Sequence, residues 1–276
     1  MQHIGKLGIK MSHKWINAPV MYTVAQVRFN QILSIESFVP NIQEKLRAIG
    51  FPDYKKEIEN TFNIAFGQPE NNPPIVQAVN RFIFGDVDGT SGFTLESNAL
   101  SFQTTEYDVF ETFLSQFLTV LSVVNDNVNL SFIERVGIRH IDAVIPQPEE
   151  TLGDYLLPEV LGLTYILNGN LSHSYTETLS ANEAGGLIAR VVIQNAKLNL
   201  PPELAQTSYP VNSKFSSFNG LHAIIDTDGY SESRMPFDNE VISKKLIDLH
   251  EEIAKSFKSV STPHALKVWQ FGVTHE

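Results

Sequence analysis

Two long amphipathic helices, each closing a run of strand-like segments, constrain this chain more than any other feature of its sequence. In residues 108–124, Phe110, Phe113, Leu114, Phe117, Leu118 and Leu121 fall on one face. In residues 240–257, Ile242, Leu246, Leu249, Ile253 and Phe257 form one stripe, with lysines and acids elsewhere. A helix with one apolar stripe must bury it, and the strands before each helix offer the surface. Asp108, three residues before Glu111, is the expected cap of the first.

The strands follow from composition and spacing. Residues 20–29 (VMYTVAQVRF), led in by Pro19, are β-branched and aromatic. A helix follows, with Ile35, Phe38, Val39, Ile42, Leu46 and Ile49 at helical spacing; Pro40 marks a break or a first turn, and Gly50 with Pro52 ends it. Strands are expected at 54–66 and 78–87, divided by the turn cluster GQPENNPP, then at 93–95 and 100–104 beyond the hairpin signal DVDG. Residues 132–145 (FIERVGIRHIDAVI) carry the longest strand signal. A short helical stretch at 152–163 and strands at 174–179, 187–194 and 221–227 precede the last long helix, and Pro263 interrupts before the tail ALKVWQF.

Residues 20–125 and 131–258 thus both read strand, helix, three-stranded meander, long helix. The expectation is an α+β protein with a mainly antiparallel curved sheet, helices packed on one face, and two β-α-β-β-β-α halves from an internal duplication. Pairing the halves edge to edge gives the kind of sheet that forms a saddle or grips a long helix. The division is an N-terminal arm, 1–19, and one compact unit, 20–276, of two similar halves, 20–130 and 131–276; Met11 offers an alternative start.

Charge and cysteine usage narrow the function. With 31 Asp+Glu against 20 Lys+Arg, the net charge of -11 repels phosphate backbones, so nucleic acid is not an expected partner. The 18 phenylalanines fit helix and strand faces, hence a core rather than base stacking. The chain has no cysteine, which excludes disulfides, a thiol nucleophile and cysteine-based zinc sites, and the cytoplasm is the expected compartment. No run approaches the ~18 apolar residues of a membrane span.

The segment RVGIRHID is the most specific chemical feature. In a strand, Arg135, Gly137 and Arg139 share one face, while His140 and Asp142 share the other. Two guanidinium groups flanking a glycine offer a shallow floor for a carboxylate or phosphate. They equally suit the chain's own acids, Asp226 and Asp228, and a buried charge demands such a partner first. His140 and Asp142 are placed for an imidazole oriented by an acid, but no nucleophile accompanies them, and a partly exposed His–Asp hydrogen bond is the simpler expectation. The acidic segments Asp86–Gly89 and Asp226–Gly229 read as turns, because neither continues with calcium-loop spacing. No phosphate loop, dinucleotide loop or zinc-protease motif occurs, so neither cofactor nor metal is expected. Residues 195–219, with two consecutive prolines, form an excursion between strands, either a surface loop or a functional insertion.

The strand led by Pro19, the R-x-G-x-R-x-I-D block at Arg135–Asp142, the Asp226-Thr-Asp228 strand end and the helix LIDLHEEIAKSF at Leu246–Phe257 resemble a sporadically distributed prokaryotic family of uncharacterised proteins of similar length. The resemblance implies a fold and no activity; a patchy distribution is compatible with accessories of mobile defence or toxin–antitoxin systems. Three readings remain: a non-catalytic protein-interaction or binding protein, a receptor for a small anion at Arg135 and Arg139, and an enzyme using His140 and Asp142. A protein partner is expected, no membrane is, and the oligomeric state is open.

Overall fold

A computed structural model of the chain describes residues 17–63, 75–167, 171–204 and 209–269. Most of the expected arm, the far end of the strand at 54–66 and the tail beyond Trp269 lie outside them. In chain order the elements are β1 (Val20–Phe29), α1 (Ile35–Ala48), β2 (Asp53–Asn63), β3 (Ile75–Gly85), β4 (Ser91–Leu95), β5 (Ala99–Thr104), α2 (Phe110–Val128), β6 (Phe132–Val144), α3 (Leu152–Tyr155), α4 (Pro158–Leu161), β7 (His173–Ala181), β8 (Gly186–Lys197), α5 (Ser213–Ser216), β9 (Asn219–Pro236), α6 (Asn239–Val260) and α7 (Pro263–Val268). A 3-10 turn at Gly162–Tyr165 follows α4, and another lies at Pro202–Leu204.

The strands form one 9-stranded sheet in the order β2-β3-β4-β5-β1-β6-β9-β8-β7, antiparallel throughout. The halves meet where β1 pairs with β6, which sets Thr23 opposite His140 and Arg28 opposite Arg135. The fold is α+β, as the helix and strand periods require. The halves differ, however: the first meander has four strands, β2 to β5, where three are expected, and the second has three.

One sheet face carries the long helices. Ala25, Val27, Val136 and Ile138 point into a core with Ile42 and Leu46 of α1, Phe117 and Leu121 of α2, and Ile242 and Leu246 of α6. Within it Phe93 stacks on Phe102 at 4.3 Å and Phe102 on Phe113 at 4.7 Å. The short helices α3, α4 and α7 cover the same face over β6, β8 and β9, burying Leu152, Tyr155, Leu161 and Ala265 against Val144, Val191 and Ile225.

Several local expectations are corrected. Helix α1 runs through Pro40, which is exposed, so it is neither a break nor a first turn. The N-cap of α2 is Val109, not Asp108, because Phe110 is already helical and buried against His250. The longest strand is β9, of 18 residues, rather than β6, of 13. It passes straight through Asp226–Gly229, which is therefore no turn. Gly229 serves packing instead: a Cβ there would stand 3.4 Å from Ile253 Cδ1 and 3.5 Å from Leu249 Cβ of α6.

The opposite sheet face is crossed by the excursion, residues 198–218 once β8 and β9 reach their full length. It is a strap rather than a free loop. Leu198, Leu200 and Phe215 bury against Tyr22, Ile141, Ala143 and Ile224. Tyr209 lies over β3 and β4 of the other half, where any Cβ on Gly92 would collide with its hydroxyl. Asn212 Nδ2 donates to Glu106 Oε1 at 2.7 Å, fixing the strap beyond that point.

Candidate functional site

The strap-side face assembles the charged residues. Alternation along β6 points Arg135, Gly137, Arg139 and Ile141 to it, and along β9 it points Asp226, Asp228, Tyr230 and Glu232 there. Arg139 lies directly opposite Asp228 in register, yet it reaches diagonally to Asp226 with two parallel bonds, Nε to Oδ1 and Nη2 to Oδ2, both 2.7 Å. Arg190 of β8, opposite Asp226, adds Nη1 to Oδ2 at 3.3 Å and holds Glu177 of β7 through Nε at 2.6 Å. Glu203 of the strap closes the cluster by accepting from Arg139 Nη2 at 2.6 Å. The Asp226 side chain keeps 3% of its exposure and Arg139 13%, so the chain's own carboxylates fill the Arg139 site.

Gly137 makes room for the Arg135 side chain. A Cβ on Gly137 would stand 2.9 Å from Arg135 Nη1, and the guanidinium lies 5.3 Å from the Tyr230 ring centre. Tyr230 in turn lies over Gly186, whose Cβ position it fills. Arg135 is loosely paired, 3.8 Å from Asp228 and 3.9 Å from Glu232, both beyond hydrogen-bond range. Burial raises the Asp228 pKa against the lowering pull of Arg135 and Arg139. Beside Arg135, a depression of about 330 Å³ is lined by Arg28, Glu134, Arg135, Glu232, Ser233 and Arg234. Arg234 Nη2 donates to Glu134 at 2.9 Å.

His140 and Asp142 face the helices, and the imidazole is not oriented by the carboxylate. Thr23, directly across the strand pair, meets Nδ1 at 3.0 Å through Oγ1. Two residues along one strand on one face stand roughly 7 Å apart at the Cα, farther than a cross-strand neighbour, and this decides the partner. A polar row therefore crosses five strands: Ser91, Thr104, Thr23, His140 and Thr227. Ser91 Oγ lies 2.7 Å from Thr104 Oγ1 in that row. Above it, His250 of α6 lies 5.5 Å from the His140 ring and stacks on Phe110 at 3.9 Å, while Tyr107 meets His140 edge-on at 5.0 Å.

His140 and Asp142 are buried rather than partly exposed. His140 Nε2, His250 Nδ1 and Thr227 Oγ1 are buried without a hydrogen-bond partner. Burial, then repulsion from His250, holds the His140 pKa well below its ordinary value. Burial lowers His250 to about 4, against the raising pull of Glu111. Burial, then Asp226, pushes Asp142 up to about 8. His140 thus packs between the sheet and the helices, with 5% of its surface exposed.

The outermost strands differ. β2 carries Lys55, Lys56 and Glu57, whereas the only carboxylate of β7, Glu177, is engaged by Arg190. β7 is exposed for most of its length, including Tyr175 and Leu179 on the strap-side face. Exposed Leu163, Ile166 and Leu167 follow α4 beside its first residues; a Cβ on Gly162 would meet Ser174 Oγ at 2.7 Å. Arg28, Arg190, Glu203, Thr23 and His250 escape a sequence reading because each enters through strand register or helix packing. The strand period of 20–29 does place Arg28 on the face opposite Ala25 and Val27.

Among the described residues no group of three His, Cys, Asp or Glu side chains suits a metal ion, and no helix is long and apolar enough to cross a membrane. Comparison with protein-family models finds no match, and comparison with curated proteins finds none.

Proposed function

We propose that this chain is a non-catalytic interaction protein whose β7 edge takes up a strand from a protein partner. The observation that carries the reading is the unguarded state of β7. Among the described residues it pairs only with β8, its strap-side face is exposed along its length, and its helix-side face is exposed from Thr178 onward. Apolar side chains flank it on each side, with Leu179 65% and Ile166 78% exposed. Edge strands are ordinarily blunted by lysines, prolines or bulges, as Lys55 and Lys56 blunt β2. Added strands gain affinity from backbone hydrogen bonds and specificity from alternate side chains, and β7 offers both.

Amide exchange in native lysate tests it. The outward amides of β7 are expected to exchange more slowly than those of β2, and Leu179→Lys is expected to abolish the difference. Equal exchange at both edges would remove the reading.

A second reading, a small-anion receptor, draws on Arg28 standing opposite Arg135, a like-charge pair that an anion between them would relieve. It moves the anion from Arg139 to Arg28. Titration with inorganic phosphate is then expected to give heat with the wild type and none with Arg28→Ala; equal heats would dismiss it.

A further inference from the structure

We infer that the strand taken up by β7 is β7 of a second copy of this chain, a proposal that rests on the edge-binding reading above. The arginine-lined depression sets two glutamates against its three arginines, and His140 and Asp142 are buried. The β7 edge alone is matched by a surface of the molecule itself.

The match lies in how unevenly β7 is covered. On the helix side of the strand, Ser174 and Thr176 are half-buried beside the Gly162–Tyr165 turn, while Thr178 and Ser180 are exposed. The apolar side chains Leu163, Ile166 and Leu167 cluster at the covered end and are themselves exposed. On the helix side, one end of β7 therefore has apolar surface to spare, and the other end presents only Thr178 and Ser180. An antiparallel pair centred on Thr176 sets Ser174 of one copy opposite Thr178 of the other. Each copy's leucine and isoleucine cluster then lies toward the uncovered Thr178 and Ser180 of its mate, and a two-fold axis makes this happen twice.

The other face agrees with the same register. Tyr175 comes opposite Glu177 of the second copy, and His173 opposite Leu179. Within one chain Tyr175 Oη already donates to Glu177 at 2.7 Å, so the pairing repeats a contact the strand makes locally. Centring on Glu177 instead would stack that carboxylate on itself, which disfavours the neighbouring register. The result is a continuous sheet through both copies. Each chain carries -11, so the copies repel at long range and salt should tighten their association.

The full chain provides the test, by sedimentation over a range of concentrations. A dimer mass is expected, with a dissociation constant that falls as salt is added. Thr176→Lys sets two lysines face to face on the axis and should weaken the dimer about ten-fold. If that variant melts early, Thr178→Lys replaces it with the same readout. The chain has no cysteine, so Thr176→Cys introduces a sole thiol. The Cα spacing across an antiparallel pair, roughly 4.5–5.5 Å, lies within disulfide range. Under mild oxidation Thr176→Cys should form a covalent dimer much faster than Ser180→Cys.

A dimer whose Thr176→Cys form links no faster than Ser180→Cys uses another surface and overturns the inference. A monomer at every concentration, with β7 still slow to exchange in lysate, overturns it too but leaves the edge-binding reading standing. A monomer with fast exchange at β7 removes both.

Discussion

Arg139 grips Asp226 through two parallel hydrogen bonds of 2.7 Å across the central β6–β9 pair, and neither side chain keeps much contact with water. The bond converts one of the two strap-side arginines of β6 into internal structure. It leaves Arg135 and Arg28 as the guanidinium groups of this face with the least engagement.

Arg139→Ala is accordingly expected to lower stability by about 3 kcal/mol, the low end for breaking a buried ion pair, because Arg190 still neutralises part of the Asp226 charge. Urea unfolding measures it. A variant as stable as the wild type that lost a bound anion would return Arg139 to the ligand-binding candidates.

His140→Ala is expected to cost about 2–4 kcal/mol by opening a cavity and leaving Thr23 Oγ1 unpaired. Melting temperature and a broad activity screen check it together. Turnover abolished by His140→Ala at unchanged melting temperature would make the protein an enzyme.

The buried polar cluster makes stability pH-dependent in two opposed ways. His140 and His250 have folded pKa values below their ordinary 6.5, so the unfolded chain binds their protons first. The contribution of both is complete above about 6.5; that of His250 is lost as pH falls toward about 4, and that of His140 declines in the same direction. Asp142, raised from 3.8 to about 8, works in reverse: its contribution is present below 3.8 and is lost as pH rises to about 8. Relative to wild type, Asp142→Asn should gain stability as pH rises through that window, and His250→Phe should gain as pH falls from 6.5 to 4. Denaturant unfolding at several pH values reads both, and parallel profiles would refute the assignment.

Tyr209 gives the strap a measurable anchor. Its hydroxyl is buried without a partner, so Tyr209→Phe should be neutral or stabilise by about 1 kcal/mol, whereas Tyr209→Ala should cost about 3–5 kcal/mol. Faster amide exchange in the strap of the alanine variant, and not of the phenylalanine one, is the expected pattern.

The sequence made the faces legible and left the partners hidden. A period of two suffices to put Arg135 and Arg139 on one side of a strand and His140 on the other. It does not supply register between strands, so Thr23 for His140 and Asp226 rather than Asp228 for Arg139 were out of reach. At Asp226–Gly229 local chemistry pointed to a turn, but pairing on both sides of β9 and the close approach of α6 to Gly229 overrode it. The excursion was visible as a long connection between strands. Its landing place was not, because the glycine that receives Tyr209 belongs to the other half.

That landing place ties the order of synthesis to the order of folding. Gly92 leaves the ribosome 117 residues before Tyr209, a delay of about 6–23 s at ordinary elongation rates. Through that interval β3 and β4 have no tyrosine to cover them, and the strand pair β1–β5 waits for β6 along its free edge. The nascent N-terminal half thus emerges as a sheet with two surfaces that only later residues complete.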